Sequence, residues 1–286
     1  MPARRLRNSR PQGAGRAWRG QEDNSAPAAS LVGAPAPAGR TDALRLLDDG
    51  DAAPAFNMAL DEALLRGDEP ATLRLYGWRP HAVSLGYFQR LRDFADVAAT
   101  TPIVRRTTGG GAIHHGDELT WALVADAALW PLDLDAGYAL LHDAVAGALA
   151  TVGVTVHRLP AGAPPAARPH ARWCFAVPGR HDLVAADGRK LCGSAQRRIR
   201  TARGARILQH GSIVFAQPTL TPFVASVADA TDAALAAPPL RRALATGLAC
   251  ALGLQLVPGT ATARETALAR TLERERYGAR EFLASR

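Results

Sequence analysis

Apolar positions along the chain follow two rhythms. In FNMALDEALLRG (56–67), Met58, Leu60, Leu64 and Leu65 fall on one helix face, and Gly67 is placed to stop the helix. The same spacing recurs from Ala136 to Thr151 through Leu140, Leu141, Val145 and Leu149, ending near Gly153, and again from Thr219 through Ala251. A short helix is predicted at Asp93–Ala99. Strand patterns stand between these. Ala43–Leu47 reads as a short strand ending before a break at Gly50–Pro54, and ATLRLYGW (71–78) alternates as a half-buried strand. AVSLGYF (82–88) reads as a strand bent at Gly86, LTWALVADA (119–127) as a buried strand, and VTVHRL (154–159) as another strand. PIVRRTTGGGAIHH (102–115) predicts a strand, a glycine loop and further extended chain. After an Ala/Pro-rich loop at 161–171 come WCFAV (173–177), HDLVAADGRKLCGSAQRR (181–198) and ARILQHGSIVF (205–215). The middle segment predicts a hairpin with a type I′ turn at Asp187–Gly188. Hairpin-clustered strands with interspersed helices predict an α+β fold.

Residues 1–40 lack apolar periodicity and are rich in Ala, Pro, Gly and Arg, so they read as a disordered tail ahead of one domain at 41–286. The tail also carries much of the charge. Of the formal +8, seven arginines against Glu22 and Asp23 place +5 in residues 1–40 and leave +3 for the rest. That distribution argues against nucleic-acid binding by the folded part and fits an acidic protein partner. There is no run of 18 apolar residues and no signal-type stretch at the N-terminus, so a cytoplasmic protein without a membrane span is expected. Three cysteines (Cys174, Cys192 and Cys250) are an odd number for a disulfide framework and lack zinc-ligand spacing, so no metal site is expected.

Of the 34 Lys and Arg residues, only Lys190 is lysine. Its compact ammonium, on a stem whose pKa responds to burial, offers chemistry that guanidinium does not. In GRKLCGSAQRR (188–198) small residues follow it (Gly193, Ser194 and Ala195), leaving room for a ligand chain. Strand alternation would place Lys190, Cys192 and Gln196 on one face. Lysine beside a thiol can favour the thiolate. Cys192 or Cys174, the latter between Trp173 and Phe175, are the candidate nucleophiles, each with a packed structural role as the alternative; Cys250 reads as core. Gly109, Gly110 and Gly111 allow close backbone approach to a ligand, flanked by Arg105, Arg106 and His115, although the loop matches neither dinucleotide nor P-loop fingerprints. His115 and His210 are candidate acids or bases.

In this order, FNMALDEALL, RRTTGGGAIHH, DGRKLCGSAQRR and LQHGSIVF resemble the lipoate and biotin protein ligase superfamily over roughly residues 43–230. The resemblance implies a class II ligase-like catalytic domain, with mixed, largely antiparallel sheets and flanking helices. It also implies an acyl chain held between the glycine loop and the lysine strand. Arg105, Arg106, Gly109, Gly110, Gly111, His115, Gly193, Ser194, Ala195, Gln196, His210 and Gly211 are then the expected substrate-binding set. CFAVPGRHDLVAADGRK is similar to the octanoyltransferase branch whose nucleophile precedes the lysine motif, which puts Cys174 and Lys190 at the catalytic positions. HHGDELT points the same way, with Gly116 where an acidic residue often stands, and the chain reads as too short for the added C-terminal domain frequent in ligases. The implied reaction moves octanoyl or lipoyl from acyl carrier protein, through a cysteine thioester, to a lysine of a lipoyl domain or of glycine cleavage H protein, without a cofactor. The alternatives are a lipoate ligase, which would need ATP and Mg, and an amidotransferase working between lipoyl domains.

Overall fold

The computed structural model describes residues 42–131, 133–159, 172–231 and 237–286. The tail read at 1–40 and the loop read at 161–171 lie outside the described residues. An eight-stranded sheet comprises β1 (Ala43–Ala52), β2 (Thr72–Trp78), β6 (Glu118–Asp126), β7 (His157–Arg158), β8 (Leu183–Val184), β9 (Lys190–Thr201), β10 (Gly204–Val214) and β11 (Gln255–Pro258). Its order is β11-β1-β2-β6-β10-β9-β8-β7, parallel at the β11-β1-β2 end and antiparallel beyond. A smaller sheet, β4-β3-β5, joins β3 (Ala82–Leu85), β4 (Ile103–Arg105) and β5 (Ile113–His115). The helices are α1 (Pro54–Arg66), α2 (Ala95–Ala98), α3 (Leu134–Thr151), α4 (Val227–Ala230), α5 (Ala237–Ala251), α6 (Ala263–Leu272) and α7 (Arg280–Leu283).

Both faces of the large sheet are covered. Leu73, Leu75, Trp121 and Leu123 pack in one core with Leu141 and Val145 of α3 and Leu244 and Leu248 of α5. Tyr76, Ala122, Val124 and Leu208 pack in another with Leu60 and Leu64 of α1 and Ala269 of α6. Each such large side chain contributes about 1.5–3 kcal/mol by leaving water. This double coverage corrects the half-buried reading of 71–78. All seven residues of β2 are buried, because α1 lies over the polar side of the strand. There Arg74 donates to Asp61, Asn57 and Asp49, and Tyr76 donates to Asp61.

Other expectations shift for local reasons. β1 runs on to Ala52, through the predicted break, because its far half pairs with β2 at Asp51–Gly77 and Ala52–Trp78. The strand predicted at 154–159 shrinks to His157–Arg158, and WCFAV forms a single 3₁₀ turn at Cys174–Ala176. Cys250 is exposed rather than core. The buried stripe of α5 runs through Leu240, Leu244 and Leu248, and two residues beyond Leu248 the helix has turned its side chains to the opposite side. β11, α6 and α7 form beyond the last predicted helix.

Candidate active site

Two backbone features build the site. The first fastens the glycine loop to the cysteine segment. Cys174 N–H donates to Ala112 O at 2.8 Å and Ala112 N–H donates to Arg172 O at 2.9 Å. The approach is so close that a Cβ on Gly111 would sit 2.7 Å from Cys174 N, and Gly110 takes a left-handed φ of +94°. Behind the loop, the buried Arg106 donates to Gly109 O and Gly111 O at 2.7 Å, to Ser84 and to Thr108. Its guanidinium is therefore a staple for the loop. Burial lowers its pKa, and the charge of Cys174 partly offsets this.

The second feature is the β8–β9 hairpin. Its turn differs from the predicted type I′. Only Gly188 has positive φ (+82°), Gly188 N–H donates to Ala185 O, and Ala185 N–H donates to Arg189 O. That is a three-residue loop ending in a glycine bulge. The strands then slip. Val184 pairs with Lys190 and Leu183 with Cys192, so Leu191 is an extra residue. One inserted residue reverses the facing of everything beyond it. Lys190 therefore does not share a face with Cys192. Instead its stem lies across Gly193, where a Cβ would overlap Lys190 Cε and Nζ.

Lys190 Nζ stands 3.5 Å from Cys174 Sγ and 2.8 Å from Asp182 Oδ2, above the Phe175 ring. Burial would lower the lysine's pKa, but Asp182 and then Cys174 outweigh it, and the ammonium is held above its ordinary value. Asp182 is itself fixed by the Gly179 N–H at 2.7 Å. Cys192 lies in the main core, where burial raises its thiol pKa to about 12, so it is no nucleophile. Cys174 is half-buried and borders a cavity of about 320 Å³.

That cavity brings together Arg106, Gly109, Gly110, Cys174, Gly193, Ser194, Ala195, Gln196 and His210 from the expected set. It adds Ile113 and Tyr138, which the sequence reading missed. A narrow inner compartment continues past Arg106, Ile113 and His210 to His115, Gly211 and Ser84. His115 sits there, stacked on Trp78 and bonded to Glu118 at 2.7 Å and to Ser84 Oγ at 2.8 Å. His210 ties the loop to α1, through Thr108 Oγ1 at 2.8 Å and Asp61 Oδ2 at 3.3 Å. Gly111 borders a second cavity, of about 390 Å³, which shares Tyr138, Cys174 and Ser194 with the first and adds Lys190 and Asp182. Arg105 is a correction to the expected set. It does not line these cavities, and its guanidinium donates to the carbonyls of Gly86, Tyr87, Gln89 and Leu283.

Asp182 and His142 also went unread. The signal for Asp182 was the hairpin itself, since a buried lysine needs a counter-charge and the segment leading into the facing strand supplies it. His142 lies inside an ordinary helical pattern, with nothing local to mark it. Among the described residues no group of three or more His, Cys, Asp or Glu is placed to hold a metal, and no helix is long and apolar enough to cross a membrane.

This arrangement places a thiol, a fixed ammonium and a slot large enough for an acyl chain side by side. The chain is 36% identical over 262 residues to octanoyltransferase LipM of Kyrpidia tusciae, covering 80% of this chain and 94% of that one. It is 34% identical over 184 residues to octanoyltransferase LipM of Bacillus subtilis, covering 59% of this chain and 64% of that one. The fold matches a putative lipoate protein ligase from T. acidophilum with a TM-score of 0.69 at 24% identity, covering 85% of this chain and 99% of that one. Residues 53–241 match the lipoyl protein ligase A/B catalytic domain, and the chain belongs to that family.

Proposed function

We propose that the chain is an octanoyltransferase, taking its acyl group as a thioester from acyl carrier protein onto Cys174 and passing it to a lysine amine of a lipoyl domain or of glycine cleavage H protein. The carrying observation is the 3.5 Å approach of Lys190 Nζ to Cys174 Sγ at the junction of two cavities. In the first half-reaction the Cys174 thiolate, stabilised by the adjacent ammonium, attacks the donor thioester carbon, and the carrier thiolate leaves. Lys190 stays protonated because of Asp182, so it acts as a charge and hydrogen-bond donor, not as a base. The acyl chain lies along the Gly109–Gly110 side of the slot toward the inner compartment. In the second half-reaction the acceptor amine attacks the acyl-enzyme, and the sulfur leaves toward the same ammonium.

The relatives named octanoyltransferase support this chemistry. So does the state of the arginines beside the loop: those of Arg106 are engaged by the protein, as are most of the N–H groups of Arg105, rather than offered to a nucleotide's phosphates. A thioester donor is already activated, so transfer needs neither ATP nor Mg. A reactive free thiol fits a reducing, cytoplasmic setting.

The test is intact mass after incubation with octanoyl carrier protein, without ATP. One added octanoyl group on the wild-type chain and none on Cys174→Ala is the expected result. An unmodified wild-type chain, with product appearing only from free acid plus ATP, overturns the reading in favour of a ligase.

A further inference from the structure

Aminolysis of a thioester leaves an extra proton on the attacking nitrogen, and the groups at the reacting sulfur do not take it. Lys190 is protonated and ion-paired. Asp182 is occupied by Lys190 and the Gly179 N–H. Burial raises the pKa of the Tyr138 hydroxyl, which makes it a donor. Cys174 carries the acyl group itself.

Ser194 remains. It is half-buried on β9 and borders both cavities together with Cys174. Behind it stands His142, 1% exposed on α3, with Nε2 2.7 Å from Ser194 Oγ. Its other nitrogen, Nδ1, lies 2.5 Å from the main-chain oxygen of His181. A carbonyl only accepts, so Nδ1 carries the ring proton and Nε2 is left as an acceptor for the serine hydroxyl. Gln209 Nε2 donates to Ser194 Oγ at 2.9 Å, and Gln196 Nε2 donates to Gln209 Oε1 at 3.1 Å, which fixes the amide's orientation. The serine oxygen thus donates to histidine, accepts from glutamine and keeps one lone pair for the cavity. His181 presents its carbonyl from a left-handed φ of +69°, a conformation that costs a non-glycine residue energy.

We propose that Ser194 and His142 form a proton relay for the second half-reaction, with Ser194 taking the proton of the attacking amine and passing its own hydroxyl proton to His142 Nε2. This rests on the acyl-enzyme reading above. The acceptor lysine first loses one proton to solvent and becomes a free amine. Its nitrogen forms the N–C bond to the thioester carbon while the excess proton moves to Ser194 Oγ and the hydroxyl proton moves to His142. The C–S bond then breaks, and its electron pair leaves on Cys174 sulfur beside the Lys190 ammonium. His142 returns its proton to solvent. Ser194 is the catalytic residue, touching the amine; His142 is a positioning residue acting through it.

The groups facing His142 are Tyr138 on its own helix, His181 and Asp182 from the segment leading into β8, and Ser194 and Lys190 from β9. Burial is the largest influence and lowers the pKa of His142. The His181 carbonyl and Asp182 raise it in part, and Lys190 and the His181 ring lower it further. The imidazole is therefore neutral, and able to accept, at physiological pH.

His142→Gln keeps an acceptor near Ser194 but cannot titrate, and Ser194→Ala removes the hydroxyl. Each half-reaction is followed by rapid-quench mass measurement, using octanoyl carrier protein for loading and an isolated lipoyl domain for discharge of the purified acyl-enzyme. His142→Gln is expected to load within about twofold of wild type, and both variants are expected to discharge about 10²-fold more slowly at pH 7, the usual scale of general-base assistance. The deficit should narrow toward pH 9 as hydroxide replaces the relay, and Ser194→Thr should restore discharge. Equal losses in loading and discharge in His142→Gln, a deficit independent of pH, or undiminished discharge would overturn the relay while leaving the acyl-enzyme intact. A wild-type chain that never acquires the acyl group would overturn the underlying reading and the relay with it.

Discussion

At the scale of single residues, Gly193 and Asp182 decide what Lys190 does. The lysine was legible because it is the only one among 34 basic residues; its neighbours were not, because an inserted residue at Leu191 changes which side chains face it. Two substitutions test this geometry. A methyl at Gly193→Ala occupies the space of Lys190 Cε and Nζ and drives the ammonium off Cys174. Overpacking of this kind costs about 1–3 kcal/mol, and loss of one preorganised donor lowers the rate of acyl loading about 10²-fold. Urea unfolding and loading kinetics measure the two effects; normal loading would show that Lys190 has another path to the sulfur. Asp182→Asn leaves a buried ammonium without its counter-charge, and breaking a buried pair costs about 3–5 kcal/mol. Adding Lys190→Met should return part of that stability and none of the activity. That pattern separates the electrostatic role of the pair from its chemical one.

At the scale of elements, long periodic segments were read well and connections less so. The helices at 54–66 and 134–151 and the strands at 118–126 and 204–214 follow their apolar spacing. The hairpin at Asp187–Gly188 was found from its turn dipeptide, but the turn type was misread because two-residue and three-residue loops share that signal. Its true geometry makes a prediction. Gly188 is at φ +82° and a Cβ there meets nothing within 4 Å, so Gly188→Ala brings strain without collision. The left-handed penalty of about 1–2 kcal/mol lowers the melting temperature by a few degrees, and acyl loading is unchanged. Gly111→Ala is the contrast. There a Cβ meets the backbone of Cys174, which cannot give way as a flexible side chain can, and loading should be lost. The two alanine variants, compared by calorimetry and by intact mass, distinguish a glycine needed for its dihedral angle from one needed for contact between two segments.

Across the whole molecule, buried histidines shape the response to pH, and no local pattern announced their burial. The strand at 71–78 shows why: alternation says which residues alternate in polarity, but not that a helix will cover the polar side. Burial elsewhere in the fold, on β5 of the smaller sheet and on α3, favours the neutral form of two histidines. His114 is buried, and that burial, then its neighbour His115, brings its pKa down to about 4, with Glu118 opposing and His81 adding to the fall. His142 is lowered as well. An unfolded histidine titrates near 6.5, so between about pH 6.5 and 4 the unfolded chain binds more protons than the folded one. Stability therefore rises with pH across that window. It is fully present above 6.5 and is lost as the solution is acidified toward 4. Carboxylates act lower down. For Glu265, burial raises the pKa, but Arg45 and the Thr262 cap outweigh it and hold the group below its ordinary value, so its loss begins only once histidine protonation is well advanced. The urea midpoint should accordingly fall between pH 7 and pH 4.5, before carboxylate titration dominates. His114→Asn, which keeps a polar side chain but has no proton to gain, should show a smaller fall over the same interval. Parallel curves for the two proteins would mean that His114 titrates as freely in the folded state as in the unfolded one, and that the enclosure of β5 does not exclude charge.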